Sequence, residues 1–128
     1  MENEVHYALK KFKDALGRLR EGAELAKTGL DKDGVIQRFE FTFELLWKSV
    51  KVCLEDKGIE AKTPKDCLKA AFRIGWIEEE QAYLDMLTDR NKTSHLYDEP
   101  ESEKIFQRIK ALYLRLMEAL LHRLETQG

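Results

Sequence analysis

Apolar residues recur along this chain every three to four positions, the spacing of amphipathic helices, and the sequence contains no alternating pattern typical of strands. The first predicted helix runs from about residue 4 to 27. Its apolar stripe consists of Val5, Leu9, Phe12, Leu16, Leu19 and Ala23. The last predicted helix starts at residues 98–101, and its apolar face consists of Ile105, Ile109, Leu112, Leu116, Leu120 and Leu124. The periodicity predicts an all-α protein, an antiparallel up-and-down four-helix bundle in which one helix is interrupted.

The second predicted helix has two apolar faces. Gly29 to Gly34 is predicted as the preceding turn, and the helix runs from about Val35 to Lys57, where Gly58 ends it. Its broad face consists of Ile36, Phe39, Phe43, Leu46, Trp47, Val50 and Leu54. A narrower stripe on nearly the opposite side consists of Phe41, Leu45 and Val52. Because a helix with two apolar faces usually packs against two partners, we expect the broad face in the bundle core and the narrow stripe at a subunit interface.

The interruption is predicted around Gly75. Thr63 and Pro64 are the residue types of a helix cap and a first-turn position, so a short third helix starts there and ends near Gly75. A fourth helix starts at residues 78–80, where three glutamates suit the positive end of the helix dipole, and runs toward Arg90.

Composition and charge narrow the classes of function. The chain has 128 residues, 43% hydrophobic and 36% charged, which predicts a single helical bundle domain over residues 1–128. Its net charge of −2, with acids and bases mixed along the chain, argues against a protein that coats nucleic acid through bulk charge. Any nucleic-acid contact must therefore be local. The absence of an apolar signal segment and of a membrane-spanning run in the sequence predicts a cytoplasmic protein with no membrane partner.

Several titratable residues receive structural interpretations. Cys53 and Cys67 lack metal-ligand spacing and fall among apolar helical positions, so they are predicted as buried free thiols. The glutamates at 78–80 have no histidine at ligand spacing, and we expect neither a metal site nor a cofactor. His6 and His122 are predicted at the surface. Intrahelical ion pairs are predicted among Glu40, Glu44 and Lys48, which lie at four-residue spacing.

The strongest candidate for chemistry is the segment Arg90-Asn91-Lys92-Thr93-Ser94-His95-Leu96-Tyr97. Arginine binds phosphate through its charge and forked donors, and histidine transfers protons near neutral pH. In one uninterrupted helix, Arg90 and His95 would point about 140° apart. They can converge if the helix ends around residues 92–94, or if a symmetric dimer brings Arg90 of one chain to His95 of the other.

Two interpretations of this segment follow from the residues alone. In the structural one, Arg90 only forms an ion pair with a nearby acid, and His95 is half-buried. The candidate acids are Asp85, Asp89 and Glu99. In the functional one, Arg90 binds the scissile phosphate of RNA and His95 acts as general acid or base. Because the 2′-hydroxyl of RNA is then the nucleophile, the protein needs only a proton acceptor and a proton donor, and a two-fold dimer would supply the second histidine.

Most of the chain resembles the HEPN superfamily and, within it, the nucleotidyltransferase substrate-binding proteins or HepT-like toxins. The segment Arg38 to Lys48 resembles the second-helix motif of the family. The third-helix region is similar over Thr63-Pro64-Lys65, Ala70-Ala71-Phe72 and Gly75-Trp76-Ile77. The segment from Arg90 to Tyr97 matches the family pattern of Arg, a polar residue, three variable residues, His, any residue and Tyr.

This resemblance implies a HEPN-like bundle that forms a homodimer and acts on RNA as a metal-independent ribonuclease. Arg90 and His95 would be catalytic, and Asn91 would assist by orienting a neighbour or the substrate. The implied partner is a minimal nucleotidyltransferase, an antitoxin that transfers AMP to Tyr97. An older interpretation of the same family makes the chain a non-catalytic subunit that binds substrate for the nucleotidyltransferase.

Overall fold

The computed structural model describes residues 2–93 and 98–127, which are helical over most of their length. The helices are α1 (Glu2–Leu25), α2 (Gly29–Asp56), α3 (Pro64–Arg73), α4 (Glu80–Thr93), α5 (Glu99–Arg108) and α6 (Leu114–Thr126). A π-helical segment (Ile109–Tyr113) joins α5 to α6. No strand occurs within the described ranges. The predicted all-α bundle is confirmed.

The core is one cluster of apolar side chains between α2 and the helices around it. Helix α2 packs against α1, α3, α4, α5 and α6, and α1 also packs against α6. The broad face predicted for α2 supplies Phe39, Phe43, Leu46 and Val50, all fully buried. Full burial of each such side chain stabilises the fold by about 1.5–3 kcal/mol.

The prediction that Gly29 to Gly34 forms a turn is wrong, because α2 begins at Gly29. A capping box starts the helix: Thr28 Oγ1 accepts a hydrogen bond from the Asp31 N–H at 3.1 Å, and Asp31 Oδ2 accepts one from the Thr28 N–H at 3.1 Å. The Lys27 N–H donates to the same Asp31 oxygen at 3.0 Å, and these two backbone donors lower the pKa of Asp31. The reciprocal cap satisfies the first amides and offsets the low helix propensity of the two glycines.

The predicted interruption is confirmed between α3 and α4. Thr63 caps α3 by accepting a hydrogen bond from the Asp66 N–H at 3.1 Å, and Pro64 occupies its first turn. Helix α3 ends at Arg73, and Gly75 takes a φ of 83°, a left-handed conformation that favours glycine. Helix α4 then starts at Glu80 and leads to the candidate motif.

Polar side chains of α2 hold it against α1. Thr42 Oγ1 donates a hydrogen bond to the Ala15 carbonyl at 3.3 Å, and Ser49 Oγ donates to the Ala8 carbonyl at 3.2 Å. Both side chains are buried, so a small residue at each position lets the two helices approach closely. None of the helices in the described part of the chain combines the length and apolar character needed to cross a membrane.

The two cysteines are free and buried, as predicted. Burial raises the pKa of Cys53 and of Cys67 to about 11. The thiolate is the reactive form of cysteine, so both residues should be inert near neutral pH.

We expect native protein at about pH 8 to react with a thiol reagent such as DTNB at least about 100-fold more slowly than protein unfolded in guanidinium. The native rate should rise as pH increases toward the raised pKa, because the thiolate fraction then grows. Rapid labelling of either Cys53 or Cys67 in native protein at pH 8 would contradict this expectation. Labelling kinetics followed by absorbance make the measurement, and Cys53→Ser and Cys67→Ser variants assign each phase.

Candidate functional site

Arg90 lies in the last turn of α4 and faces α2. Its side chain is 25% exposed, and Nη2 lies 3.4 Å from Oε1 of Glu44 on α2. The structural interpretation from sequence named Asp85, Asp89 or Glu99 as the acid, and this assignment is wrong. The physical reason is the helix rotation: successive residues on α4 point about 100° apart, so Asp89 faces the end of α5 and the π-helical segment while Arg90 faces α2.

Glu44 is the acidic group of the site, and two more donors approach it from its own helix. Trp47 Nε1 donates a hydrogen bond to Oε2 at 3.1 Å, and Lys48 Nζ lies 3.9 Å from the same oxygen. The predicted intrahelical pair of Glu44 and Lys48 is therefore confirmed. The contact of Glu44 with Arg90 was not predicted, because these two residues are 46 positions apart in the chain and no local spacing indicates the contact.

The Arg90 guanidinium has donor capacity to spare. Its contact with Glu44 is long at 3.4 Å, and its Nε is buried without a hydrogen-bond partner among the described residues. An unsatisfied buried donor costs about 1–3 kcal/mol. An anion that reached this nitrogen together with a neighbouring Nη would remove that cost and gain a forked, charge-assisted contact.

Asp89, the residue before Arg90, is by contrast fully engaged. Its side chain is 6% exposed and accepts two hydrogen bonds from Arg108, from Nε at 2.7 Å and from Nη2 at 2.9 Å. The hydroxyl of buried Tyr113 donates a third. These hydrogen bonds raise the pKa of Arg108, and burial together with the Asp89 carboxylate raises the pKa of Tyr113. We call these three residues the Asp89 clamp. Sequence reasoning considered Asp89 only as a partner for Arg90 and missed the clamp.

The rest of the motif is only partly described. Asn91 is exposed, and Thr93 Oγ1 donates a hydrogen bond to the Arg90 carbonyl at 2.7 Å. Lys92 Nζ lies 3.9 Å from Glu101 on α5. The predicted catalytic His95 and the predicted modification site Tyr97 lie outside the described residues. The convergence of Arg90 and His95 therefore stays a prediction.

The narrow stripe of α2 is accessible at one end. Phe41 is 58% exposed, while Leu45 and Val52 are half-buried, and Leu45 packs partly against the core. The exposed aromatic ring is the part of the stripe available to a partner. Its role as a subunit interface stays a prediction.

The remaining candidates show no clustering. His6 and His122 are exposed, as predicted. Within residues 2–93 and 98–127, histidine, cysteine, aspartate and glutamate side chains nowhere come together in a group of three that could hold a metal ion.

Comparison with known proteins identifies a matching family and relatives of this chain. Residues 7–126 match the family model described as nucleotidyltransferase substrate binding protein like. A Haemophilus influenzae protein named probable ribonuclease HepT is 35% identical over 81 residues, which cover 59% of this chain and 56% of that protein. The chain thus spans little more than half the length of this relative.

Two solved structures share the fold. One, from Thermus thermophilus, is 39% identical with a TM-score of 0.83 and covers 88% of this chain and 98% of its own. The other, from Haemophilus influenzae, is described as the fold of a substrate binding domain of a nucleotidyltransferase. It is 25% identical with a TM-score of 0.68 and covers 97% of this chain and 98% of its own.

The match to the family model includes all six α-helices in whole or in large part. It also spans the three regions that carry the resemblance: Arg38 to Lys48, Thr63 to Ile77 and Arg90 to Tyr97. The resemblance predicted from sequence is confirmed. This chain belongs to the nucleotidyltransferase substrate binding protein like family.

Proposed function

We propose that this protein is a HEPN-type, metal-independent endoribonuclease, the toxin of a toxin–antitoxin pair, which acts as a homodimer. The observation that carries the proposal is the state of Arg90: a partly exposed guanidinium with one long carboxylate contact and a buried Nε that has no partner among the described residues. Its chemistry suits a phosphodiester. The kinship with a protein named probable ribonuclease HepT supports the same substrate class.

In the proposed reaction, the 2′-hydroxyl of RNA attacks the adjacent phosphorus and the bond to the 5′-oxygen of the next nucleotide breaks. One histidine accepts the 2′-hydroxyl proton, and another donates a proton to the leaving 5′-oxygen. The products are a 2′,3′-cyclic phosphate and a free 5′-hydroxyl. His95 of each subunit takes one of these roles, Arg90 stabilises the charge that grows on the phosphate oxygens, and Asn91 orients the substrate or a neighbouring group.

Glu44 fits this reaction as an exchangeable partner for Arg90. Both side chains are about a quarter to a third exposed, and a solvent-accessible ion pair of this kind contributes about 0–1 kcal/mol. An RNA phosphate that offers a bidentate contact can therefore replace Glu44 at little cost. Lys48 and Trp47 remain as donors to the released carboxylate.

Replacing Arg90 by alanine should lower RNA cleavage by at least about 100-fold and relieve growth arrest when the chain is expressed alone, because the phosphate loses its main cation. Arg115→Ala is the matched control: Arg115 also lies 3.4 Å from a glutamate, Glu79, but on the surface of α6. Cleavage of labelled single-stranded RNA, with and without EDTA, makes the measurement.

His95→Ala should have the same effect as Arg90→Ala, and cleavage by the unsubstituted chain should persist in EDTA. If folded Arg90→Ala protein cleaves RNA as well as Arg115→Ala protein, the catalytic assignment is wrong. Loss of cleavage in EDTA would refute the metal-independent mechanism.

The proposed silencing reaction transfers AMP to Tyr97 from ATP bound to a minimal nucleotidyltransferase. The phenol gives up its proton to solvent and its oxygen attacks the α-phosphorus. The bond between the α-phosphorus and the oxygen that bridges to the β-phosphate breaks, and pyrophosphate leaves. The acceptor must be accessible, which disfavours Tyr83 and Tyr113, since both are buried and their hydroxyls donate hydrogen bonds within the protein. Tyr7 is 64% exposed and is therefore the competing acceptor.

We expect intact-mass spectrometry to detect the addition of AMP after co-expression with the nucleotidyltransferase, and Tyr97→Phe to abolish it. Tyr7→Phe is the control, because it removes the other exposed phenol and should leave the modification unchanged. Modification that persists in Tyr97→Phe protein and disappears in Tyr7→Phe protein would move the site to α1.

The homodimer is proposed to form through the stripe of Phe41, Leu45 and Val52. Phe41→Glu should weaken self-association at least about tenfold, because an exposed aromatic anchor is replaced by a charge. Phe72→Glu on α3 is the control, since Phe72 is 44% exposed and lies outside the stripe. Sedimentation equilibrium measures the dissociation constants. Equal self-association of the Phe41→Glu and unsubstituted proteins would remove the stripe from the interface.

A second candidate function is a non-catalytic subunit that presents substrate to a nucleotidyltransferase. It is favoured by the family description and by the Haemophilus influenzae structure described as a substrate binding domain. This function predicts a stable complex with the nucleotidyltransferase and no RNA cleavage by the purified chain. The cleavage assay described above separates the two candidates.

A further inference from the structure

The Asp89 clamp lies immediately beside Arg90. Its hydrogen bonds join Asp89 to Arg108 and Tyr113, whereas Arg90 contacts Glu44. Asp89 is a buried carboxylate with two hydrogen bonds from Arg108 and one from Tyr113. A buried charge is tolerated when its oxygens are well paired, and this one has three donors. The clamp ties the last turns of α4 to the end of α5 and to the π-helical segment.

The π-helical segment explains how both donors reach one carboxylate. Arg108 and Tyr113 are five residues apart, so in a regular α-helix their side chains would point about 140° apart. In the segment Ile109–Tyr113 the backbone widens, and the Leu114 N–H bonds to the Ile109 carbonyl five residues earlier. This spacing brings residues five apart onto one side. π-Segments are uncommon and often lie at functional sites.

The last turn of α4 is therefore held from two directions. On one side Asp89 binds Arg108 at the end of α5, and Lys92 lies near Glu101 of the same helix. On the other side Arg90 meets Glu44 of α2 through a long contact. The C-terminal turn of a helix has carbonyls without partners in the helix, so its rotation is otherwise weakly fixed. Asp89 has three hydrogen bonds and Arg90, the next residue on this turn, has one long ion-pair contact.

We propose that the Asp89 clamp is a positioning device for Arg90. This inference rests on the proposed function, because it assigns Asp89, Arg108 and Tyr113 to the support of the phosphate-binding arginine. The competing explanation is a staple that contributes only to stability. A misplacement of a catalytic group by about 1 Å can reduce a rate by about 100-fold, whereas a purely structural staple would alter the unfolding temperature alone.

Two tyrosine variants separate these explanations. Tyr113→Phe removes the hydroxyl that binds Asp89. Tyr83→Phe removes an equally buried hydroxyl on α4, which donates to the Leu116 carbonyl at 2.6 Å two turns before Arg90. The chemical change is the same in both. We expect Tyr113→Phe and Asp89→Asn to lower kcat for RNA cleavage by about tenfold or more, and Tyr83→Phe to leave kcat unchanged although it lowers Tm.

The positioning role can also be measured without any reaction. The Arg90 Nε–H group gives a ¹⁵N NMR signal, assigned by its loss in Arg90→Lys, that reports the orientation and burial of the guanidinium. We expect this signal to shift or broaden in Tyr113→Phe and Asp89→Asn and to stay in place in Tyr83→Phe. If it stays in place in all three, or if kcat falls only in proportion to Tm across the set, the positioning role is refuted. An absence of cleavage by the unsubstituted chain would refute the proposed ribonuclease while leaving the NMR test of the clamp intact.

Discussion

The packing of every other α-helix against α2 is the constraint on which the rest of the structure depends. The buried face of α2 forms the core through Phe39 and Phe43, and Thr42 ties its flank to α1. Its outward side carries exposed Phe41 and, one turn farther on, half-buried Glu44, which Arg90 of α4 contacts. The packing of the bundle thus leaves the proposed interface and the proposed phosphate site on neighbouring parts of one helix.

Adjacent residues on α4 differ sharply in how firmly their side chains are held. Asp89 is buried and saturated with donors, while Arg90 is partly exposed and holds a single long contact among those described. A fully paired buried carboxylate is costly to disturb, so it makes a rigid support. A weakly paired arginine exchanges its partner cheaply, which suits a group that must bind and release phosphate. In the proposed enzyme, the rigid Asp89 holds the turn in place while Arg90 exchanges Glu44 for a phosphate.

The sequence predicts features that arise from local chemistry and misses those that arise from tertiary contact. The cap at Thr63 and the break at Gly75 follow from neighbouring residues and were predicted. The start of α2 is predicted too late, because Gly29 and Gly34 are typical of a turn, whereas the reciprocal cap at Thr28 begins the helix at Gly29. The contact of Glu44 with Arg90 has no local signature, since it joins residues 46 apart. The apolar pattern of the last helix gives no signal for the π-helical segment within it.

The weakly paired guanidinium of Arg90 also gives a physical reason why the proposed modification of Tyr97 would silence the protein, because the attached phosphate would bind Arg90. AMP attached to a tyrosine carries one negative phosphate, and Tyr97 is seven positions from Arg90 in the chain, at most about 25 Å along an extended backbone. A tethered phosphate at such a distance has an effective concentration in the millimolar range. RNA arriving from solution has no comparable advantage, because a protein of net charge −2 does not attract a polyanion over long range. In this arrangement one attached phosphate outcompetes the substrate by proximity, without any change of fold.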